Sequence, residues 1–417
     1  MSMTAAETQA PARVPLGGYA VFAGLLSAAG LPLYIHAPKF YVDEFGVSLA
    51  ALGAVLFALR LLDVVQDPLL GRLAGVVARH RATAVSVGIV VLCSGMIGLF
   101  AIQPLFNPVA WFAVMLTLVF SAFSFLTICF YAQGVATAVT LGGNGHLKLA
   151  RWRETGALLG VCLAAIAPVA LGALMDAPFA GFAVSFALVG MIAVFMMRTA
   201  WDTTSIPDGP GFAVILRDRL ARRLLMIALV NAAPVAVSST LFLFFVESRL
   251  GAVGMEGPLL LLFFLCAACS APVWGMLAER IGTKSVLLTA MVLAICAFGF
   301  ALGLGTGDTL AFALICAGSG AAMGADLTLL PAAFARRMSK IAPGAAEGFG
   351  LWAFVSKLSL AFAAVALLPL LEQGGFTPGP DNTEDALWRL TLLYAAVPCA
   401  LKLVAIALLI PTQLEEG

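Results

Sequence analysis

The sequence predicts an all-α integral membrane protein: twelve transmembrane helices in two six-helix bundles, with both termini in the cytoplasm. Three observations carry this. First, 62% of the 417 residues are hydrophobic and 11% are charged, where a soluble globular chain has about 25% charged residues. No soluble core could hide so much apolar surface. Second, the apolar runs are about 20 residues long, the length of a membrane-spanning helix and twice that of a barrel strand. Third, basic residues are unevenly placed. With the N-terminus inside, 17 Lys and Arg fall on inner segments, and 3 (Lys39, Arg249 and Arg389) on outer ones. That is the bias that keeps positive loops in the cytoplasm.

In chain order the expected spans are 16–37, 48–70, 83–103, 108–132, 155–174, 179–197, 224–246, 258–278, 285–304, 309–334, 349–371 and 387–410. The polar stretch Met1 to Pro15 has no basic region leading into a short apolar run and a cleavage site, so no signal peptide is expected. The longest charged interruption, Arg198 to Arg223, divides the spans six and six. This gives an N-terminal bundle over 1–197, a cytoplasmic linker over 198–223 and a C-terminal bundle over 224–417. Within the linker, Gly211 to Leu225 reads as a basic amphipathic helix on the membrane surface. The eight cysteines all lie in apolar spans, where buried cysteine behaves as a small hydrophobe. Cys266-x-x-Cys269 is read in the same way.

Span 2 holds the stretch that needs a purpose: Arg60-Leu-Leu-Asp63-Val-Val-Gln-Asp67-Pro68-Leu-Leu-Gly71. At 100° per residue, Asp63 lies about 60° and Asp67 about 20° from Arg60. All three charges share one face, with the carboxylates one turn apart. A charge at the bilayer centre costs roughly 2.5–3.5 kcal/mol even on the mildest scale, so this face must turn to a partner or a wet cavity. Paired carboxylates suit a cation or a proton. Asp63 and Asp67 are therefore the candidate site for a coupling ion, Na⁺ or H⁺, with Arg60 and Lys357 (span 11) as charge partners.

Other polar residues inside spans are candidate cargo contacts. Asp326 in span 10 is a third intramembrane acid, and Asn231 lies in a span 7 made polar and breakable around Pro234. Tyr131, Gln133 and Trp352 are candidates for a cargo platform, and Tyr34 is among the few polar groups of span 1. Lys402 in span 12 is expected to snorkel, facing lipid or a neighbouring helix.

The halves echo each other. Pro68-Leu-Leu-Gly71-Arg-Leu73-Ala74 closes span 2, and Pro272-Val-Trp-Gly275-Met-Leu277-Ala278 closes span 8, 204 residues later. Each is P-x-x-G-x-L-A in the second span of its half, which argues for duplication. The second copy continues as Glu279-Arg280-Ile-Gly282-Thr-Lys284. This string resembles the cytoplasmic loop signature of the major facilitator superfamily. The resemblance implies two bundles around a central cavity that opens alternately to each side. The first copy departs from the pattern, with Gly75 where an acid is usual.

A narrower resemblance follows from R-x-x-D-x-x-x-D-P-x-x-G in span 2. Gly348-Phe-Gly-Leu-Trp352-Ala-Phe-Val-Ser356-Lys357 in span 11 adds to it, after Leu330-Pro331-Ala332 in span 10. Together they are similar to the glycoside–pentoside–hexuronide:cation symporters, the melibiose-permease-like family. In that family the paired aspartates bind Na⁺ or H⁺ and the span 11 lysine lies near them. The resemblance carries these roles to Asp63, Asp67 and Lys357. Thr127, one turn before Tyr131, stands where the sugar permeases have an aspartate, and would offer the ion a hydroxyl. Arg153, or else Arg151, corresponds to a substrate-contacting arginine. Span 1 has no carboxylate, only Tyr19, Ser27, Tyr34 and His36, so the acids that hold a sugar are missing and an apolar or anionic cargo is expected.

The expected function is thus secondary active transport: cation-coupled symport of a small organic solute by alternating access. The expected setting is the bacterial inner membrane, with the chain acting as a monomer among lipids. The coupling ion is Na⁺ or H⁺, with no other cofactor and no nucleic-acid partner. Two rival readings stay open: an exporter or flippase of a lipid-like or apolar solute, and a non-transporting membrane assembly factor. An enzyme is not expected, because His36, His80 and His146 are scattered and no nucleophile motif is present.

Overall fold

The computed structural model describes residues 14–142, 144–201, 211–342, 346–376 and 382–414. Among these residues every regular element is helical. The N-terminal half contains α1 (Leu16–Ala28), α2 (Leu31–Phe45), α3 (Leu49–Val76), α4 (Arg81–Phe100), α5 (Pro108–Thr140), α6 (Gly145–Gly172) and α7 (Pro178–Met197). A short α8 (Phe212–Arg217) leads into the C-terminal half. There follow α9 (Arg219–Phe244), α10 (Glu256–Ile281), α11 (Thr283–Gly299), α12 (Thr309–Ile341) and α13 (Ala346–Gln373). The last are α14 (Glu384–Thr391) and α15 (Val397–Leu409), joined through a π-helical turn.

Nine helical runs among the described residues are long and apolar enough to cross a membrane; one of them, Val65–Phe100, joins the end of α3 to α4. Their outer surfaces are greasy: Val65, Leu163, Phe300 and Leu314 are 66–73% exposed. Apolar exposure on this scale marks a lipid-facing surface.

Two boundaries differ from the sequence reading. The first span, expected as 16–37, is broken after Ala28, and α2 begins at Leu31 with Pro32 in its first turn. The physical reason lies in Gly30-Leu31-Pro32: glycine loses the most freedom in a helix, and proline has no N–H to donate to the carbonyl four residues back, so it is placed in the first turn of a new helix. The expected amphipathic helix over 211–225 is also split. Asp218 is extended and caps α9, accepting from the Ala221 N–H at 2.8 Å, so α9 starts at Arg219 and only six residues remain as α8. Elsewhere Ser48, Asn107 and Thr383 begin α3, α5 and α14 through side-chain caps. Gly282, at φ 90°, makes the sharp turn from α10 into α11.

The helix pairings repeat between the halves. α1 packs on α6 as α9 packs on α13, α3 on α5 as α10 on α12, and α4 on α5 as α11 on α12. α1 on α7 and α4 on α7 likewise match α9 on α15 and α11 on α15. Small residues set the closest approaches. A side chain on Gly156 would run into the Ala20 carbonyl, and one on Gly160 would strike the backbone of Gly24. This is the small-xxx-small packing that lets membrane helices touch backbone to backbone.

The halves join chiefly through α3 against α13 and α6 against α10. At the first contact, Gly350 brings its Cα side against Gly71 and the Asp67 carbonyl, at 3.1 Å from a hypothetical methyl group. At the second, Arg151 lies across Gly275 and forms an ion pair with Glu279 at 3.7 Å. The Tyr131 ring sits 5.0 Å from that of Phe349. These contacts fall at the helix ends that carry the basic loops. Asp218 also joins that end, accepting from Arg337 of α12 at 3.0 Å in a two-point contact.

Two predictions follow from this packing. Gly160→Leu should prevent α1 from seating on α6, since overpacking costs about 1–3 kcal/mol even where side chains can yield and here the obstacle is backbone. The expected result is loss of the monodisperse peak in size-exclusion chromatography; normal elution and unfolding temperature would contradict the packing. The hydrogen bonds from Arg337 hold the Asp218 carboxyl below the usual carboxylate range. Its contribution is therefore complete above the ordinary carboxylate value and lost as pH falls through the lowered one. Thermal unfolding of the wild type should lose stability in that acid window, while Asp218→Asn, weaker at neutral pH, should change less across it.

Candidate functional site

The charges of span 2 meet their partners across the boundary between bundles. Asp63 and Asp67 on α3 are 4% and 0% exposed. Lys357 on α13 places its Nζ 3.4 Å from Asp63 Oδ2 and 3.1 Å from Asp67 Oδ1. The same ammonium donates to Ser124 Oγ of α5 at 2.7 Å. Gln66, one turn along from Asp63, donates to Asp63 Oδ1 at 2.7 Å and accepts from Ser121 of α5 at 3.0 Å. The helical repeat explains the grouping: 63, 66 and 67 share one face of α3, and 121 and 124 share one face of α5. Two carboxylates thus share one ammonium in a buried site.

The hydroxyl of this cluster is that of Ser124. Thr127, the residue expected to supply it, lies one turn further along α5, and its buried Oγ1 has no hydrogen-bond partner. The spacing of Ser121 and Ser124 opposite the acid face was the signal available in sequence. The side chains of Arg60 and Tyr34 lie outside the described residues.

A second group joins α5 to α6. The Arg153 guanidinium covers the Tyr131 ring at 3.8 Å from its centroid, and Arg153 Nε pairs with Glu154 at 2.7 Å. Tyr131 donates its own O–H to Glu154 at 2.9 Å. Glu154 is 5% exposed; it stands just before the expected span 5 and is not among the candidates read from the sequence. Arg153 Nη2 is buried and without a partner. Such cation–π contact and charge-assisted bonding hold a rigid, polar platform.

Gln133 and Trp352 make other contacts. Gln133 accepts from Arg81 at 3.0 Å and donates to the Ala200 carbonyl at 2.6 Å, deep in the N-terminal bundle. Trp352 packs its ring 5.0 Å from that of Phe334. Asp326 and Asn231 come together within the C-terminal bundle, away from Asp63 and Asp67. Lys402, expected to snorkel, is 5% exposed and bonded to both of them, because a mid-span ammonium with an acid in reach is held more cheaply by pairing than by bending to the surface.

The sequence matches the MFS/sugar transport protein family over residues 17–416. No curated protein matches it. Among solved structures, the fold is similar to that of a bacterial homologue of the iron transporter ferroportin in an outward-facing state. The TM-score is 0.67 at 14% identity, covering 95% of this chain and 98% of that one. It is also similar to the human organic anion transporter TETRAN, with a TM-score of 0.63 at 16% identity and coverage of 96% and 100%. The E. coli fucose:proton symporter gives a TM-score of 0.63 at 14% identity, with coverage of 95% and 99%. These structures share its fold. With the family match over nearly its whole length, the chain belongs to the MFS/sugar transport proteins, the melibiose-permease-like family of the major facilitator superfamily.

Proposed function

We propose that the protein is a cation-coupled symporter of a small organic solute, with twelve membrane spans and both termini in the cytoplasm of a bacterial inner membrane. The observation that carries this is the buried Lys357 ammonium of one bundle held by Asp63 and Asp67 of the other. A charge cluster across the moving boundary of an alternating-access transporter ties ion occupancy to the state of that boundary. The bundles meet at the ends that carry the basic loops, so the conformation reads as closed toward the cytoplasm. In the proposed cycle, Lys357 neutralises the acids while the ion is absent. An entering cation takes over Asp63, Asp67 and Ser124 as oxygen ligands, which suits a hard ion such as Na⁺. Lys357 is then released, and α13 can move against α3.

The cargo reading rests on a different observation. Spans 1 and 4 lack the acids that the sugar permeases use, and Glu154 is already bonded to Arg153 and Tyr131. An apolar or anionic solute suits the Tyr131–Arg153 platform better than a hexose. The same observation favours, as a second reading, an exporter or flippase of a lipid-like solute. Direction of movement in vesicles separates the two.

Accumulation in proteoliposomes under an imposed Na⁺ or pH gradient tests the coupling. Asp63→Asn and Asp67→Asn should each abolish gradient-driven accumulation yet leave solute exchange partly intact; Lys357→Ala should impair both by leaving carboxylates buried and unpaired. Ser124→Ala should weaken ion activation by about tenfold, the worth of one hydrogen bond to a charged group, whereas Thr127→Ala should not. If Na⁺ is the ion, its affinity should fall as pH drops, because protons compete for the same oxygens. Undiminished accumulation by the double Asp63→Asn/Asp67→Asn protein would make the cluster purely structural. Galactoside binding to the purified protein should be weak; tight, saturable binding would overturn the cargo reading.

A further inference from the structure

The C-terminal bundle holds a second polar centre that the cation cluster does not use. Lys402 Nζ donates to Asn231 Oδ1 at 2.7 Å and to Asp326 Oδ2. An ammonium has three donors, and these bonds use two. Asp326 Oδ1 is buried and has no hydrogen-bond partner. Deep in the bundle, one donor and one acceptor thus stand side by side, both unspent. A buried polar group in this condition marks a place where a bonding partner is missing.

Both residues line a cleft between α9, α10, α11, α12 and α15. Its walls are apolar, built from Val235, Phe263, Ile295, Phe298 and Met323. Ser238 and Ser319 also reach it, but their hydroxyls are spent on their own helices, at 3.2 Å to the Val235 carbonyl and 2.6 Å to that of Ile315. The polar demand of the cleft reduces to the Asp326–Lys402 pair. That pair carries no net charge. An anion bound there would lie against Asp326 and a cation against Lys402, so neither suits the site. A neutral hydroxyl suits both: it donates to the free carboxylate oxygen and accepts from the third N–H.

We propose that this cleft binds a small neutral amphiphile, an alcohol whose hydroxyl docks on Asp326 and Lys402 while its apolar body lies between Phe263, Phe298 and Met323. The site lies within one bundle and shares no residue with the cation cluster. It therefore stands whether or not the protein moves a solute.

Cys399 lines the same cleft and serves as a reporter. Full-length protein in lipid nanodiscs is treated with a small methanethiosulfonate, and modification is read peptide by peptide by mass spectrometry. Three probes of one shape are compared: 2-phenylethanol, the headless ethylbenzene and the anionic phenylacetate. 2-Phenylethanol should slow labelling of Cys399 in a saturable manner, and leave Cys93 of the N-terminal bundle unaffected. The volume-conserving pair Asp326→Asn/Lys402→Met should raise the concentration needed by about tenfold, as expected for losing hydrogen bonds to charged groups. Ala294→Phe fills the cleft without touching the ion pair and should abolish protection, which guards against a folding defect in the double variant. Equal protection by ethylbenzene, stronger protection by phenylacetate, equal slowing at Cys93, or none at Cys399 would each overturn the proposal.

Discussion

One ammonium group ties the two bundles together inside the protein. Lys357 reaches from α13 to oxygens of α3 and α5, and the two carboxylates it meets are buried. Taking charges out of water is expensive, and a buried ion pair returns little net stability. Its importance lies in asymmetry: made, it is close to neutral in energy, while with one partner removed it leaves an uncompensated charge. The structure around it meets that demand. Gln66 and Ser121 supply further hydrogen bonds to the acid side, and the glycine crossing of Gly71 and Gly350, one turn below Asp67, brings α13 close enough for a lysine to reach.

That closeness depends on residues with almost no chemistry of their own. Within the N-terminal bundle, Gly156 and Gly160 let α6 lie on α1, and between bundles Gly275 makes room for Arg151. In lipid there is no hydrophobic gain from pressing helices together, so contact has to come from close fit and hydrogen bonding. Polar clusters and small-residue crossings therefore share the work of defining where each helix sits.

The duplication is visible in the pairings but not in every contact. The second repeat joins the opposite bundle through Glu279 and Arg151. In the first repeat the corresponding position is Gly75, which has no side chain to offer. The linker residue Asp218, bonded to Arg337, supplies an acid–base contact at the same end of the molecule. Two ion pairs thus lie at that end, one between the bundles and one from the linker to α12.

The class of protein was legible from composition, and the face shared by Asp63 and Asp67 from helical periodicity alone, because both are properties of a chain read locally. Lys357 could be matched to them through the motif it ends. What could not be read was which neighbours fill a cluster: Ser124 and not Thr127, Glu154 beneath Tyr131, Gln133 bound to Arg81, and Lys402 turned inward to Asp326 and Asn231. A mid-span polar residue has the same sequence signature whether it faces a cavity, a neighbouring helix or the headgroups. Rotation and depth of each helix choose among these, and they are fixed by packing against helices far away in sequence. The sequence by itself determined that charges would be buried in a membrane and on which helix faces. Only the tertiary structure decided their partners, because an ion pair in a low-dielectric interior forms with whichever group the packing brings within about 3 Å, at any separation along the chain.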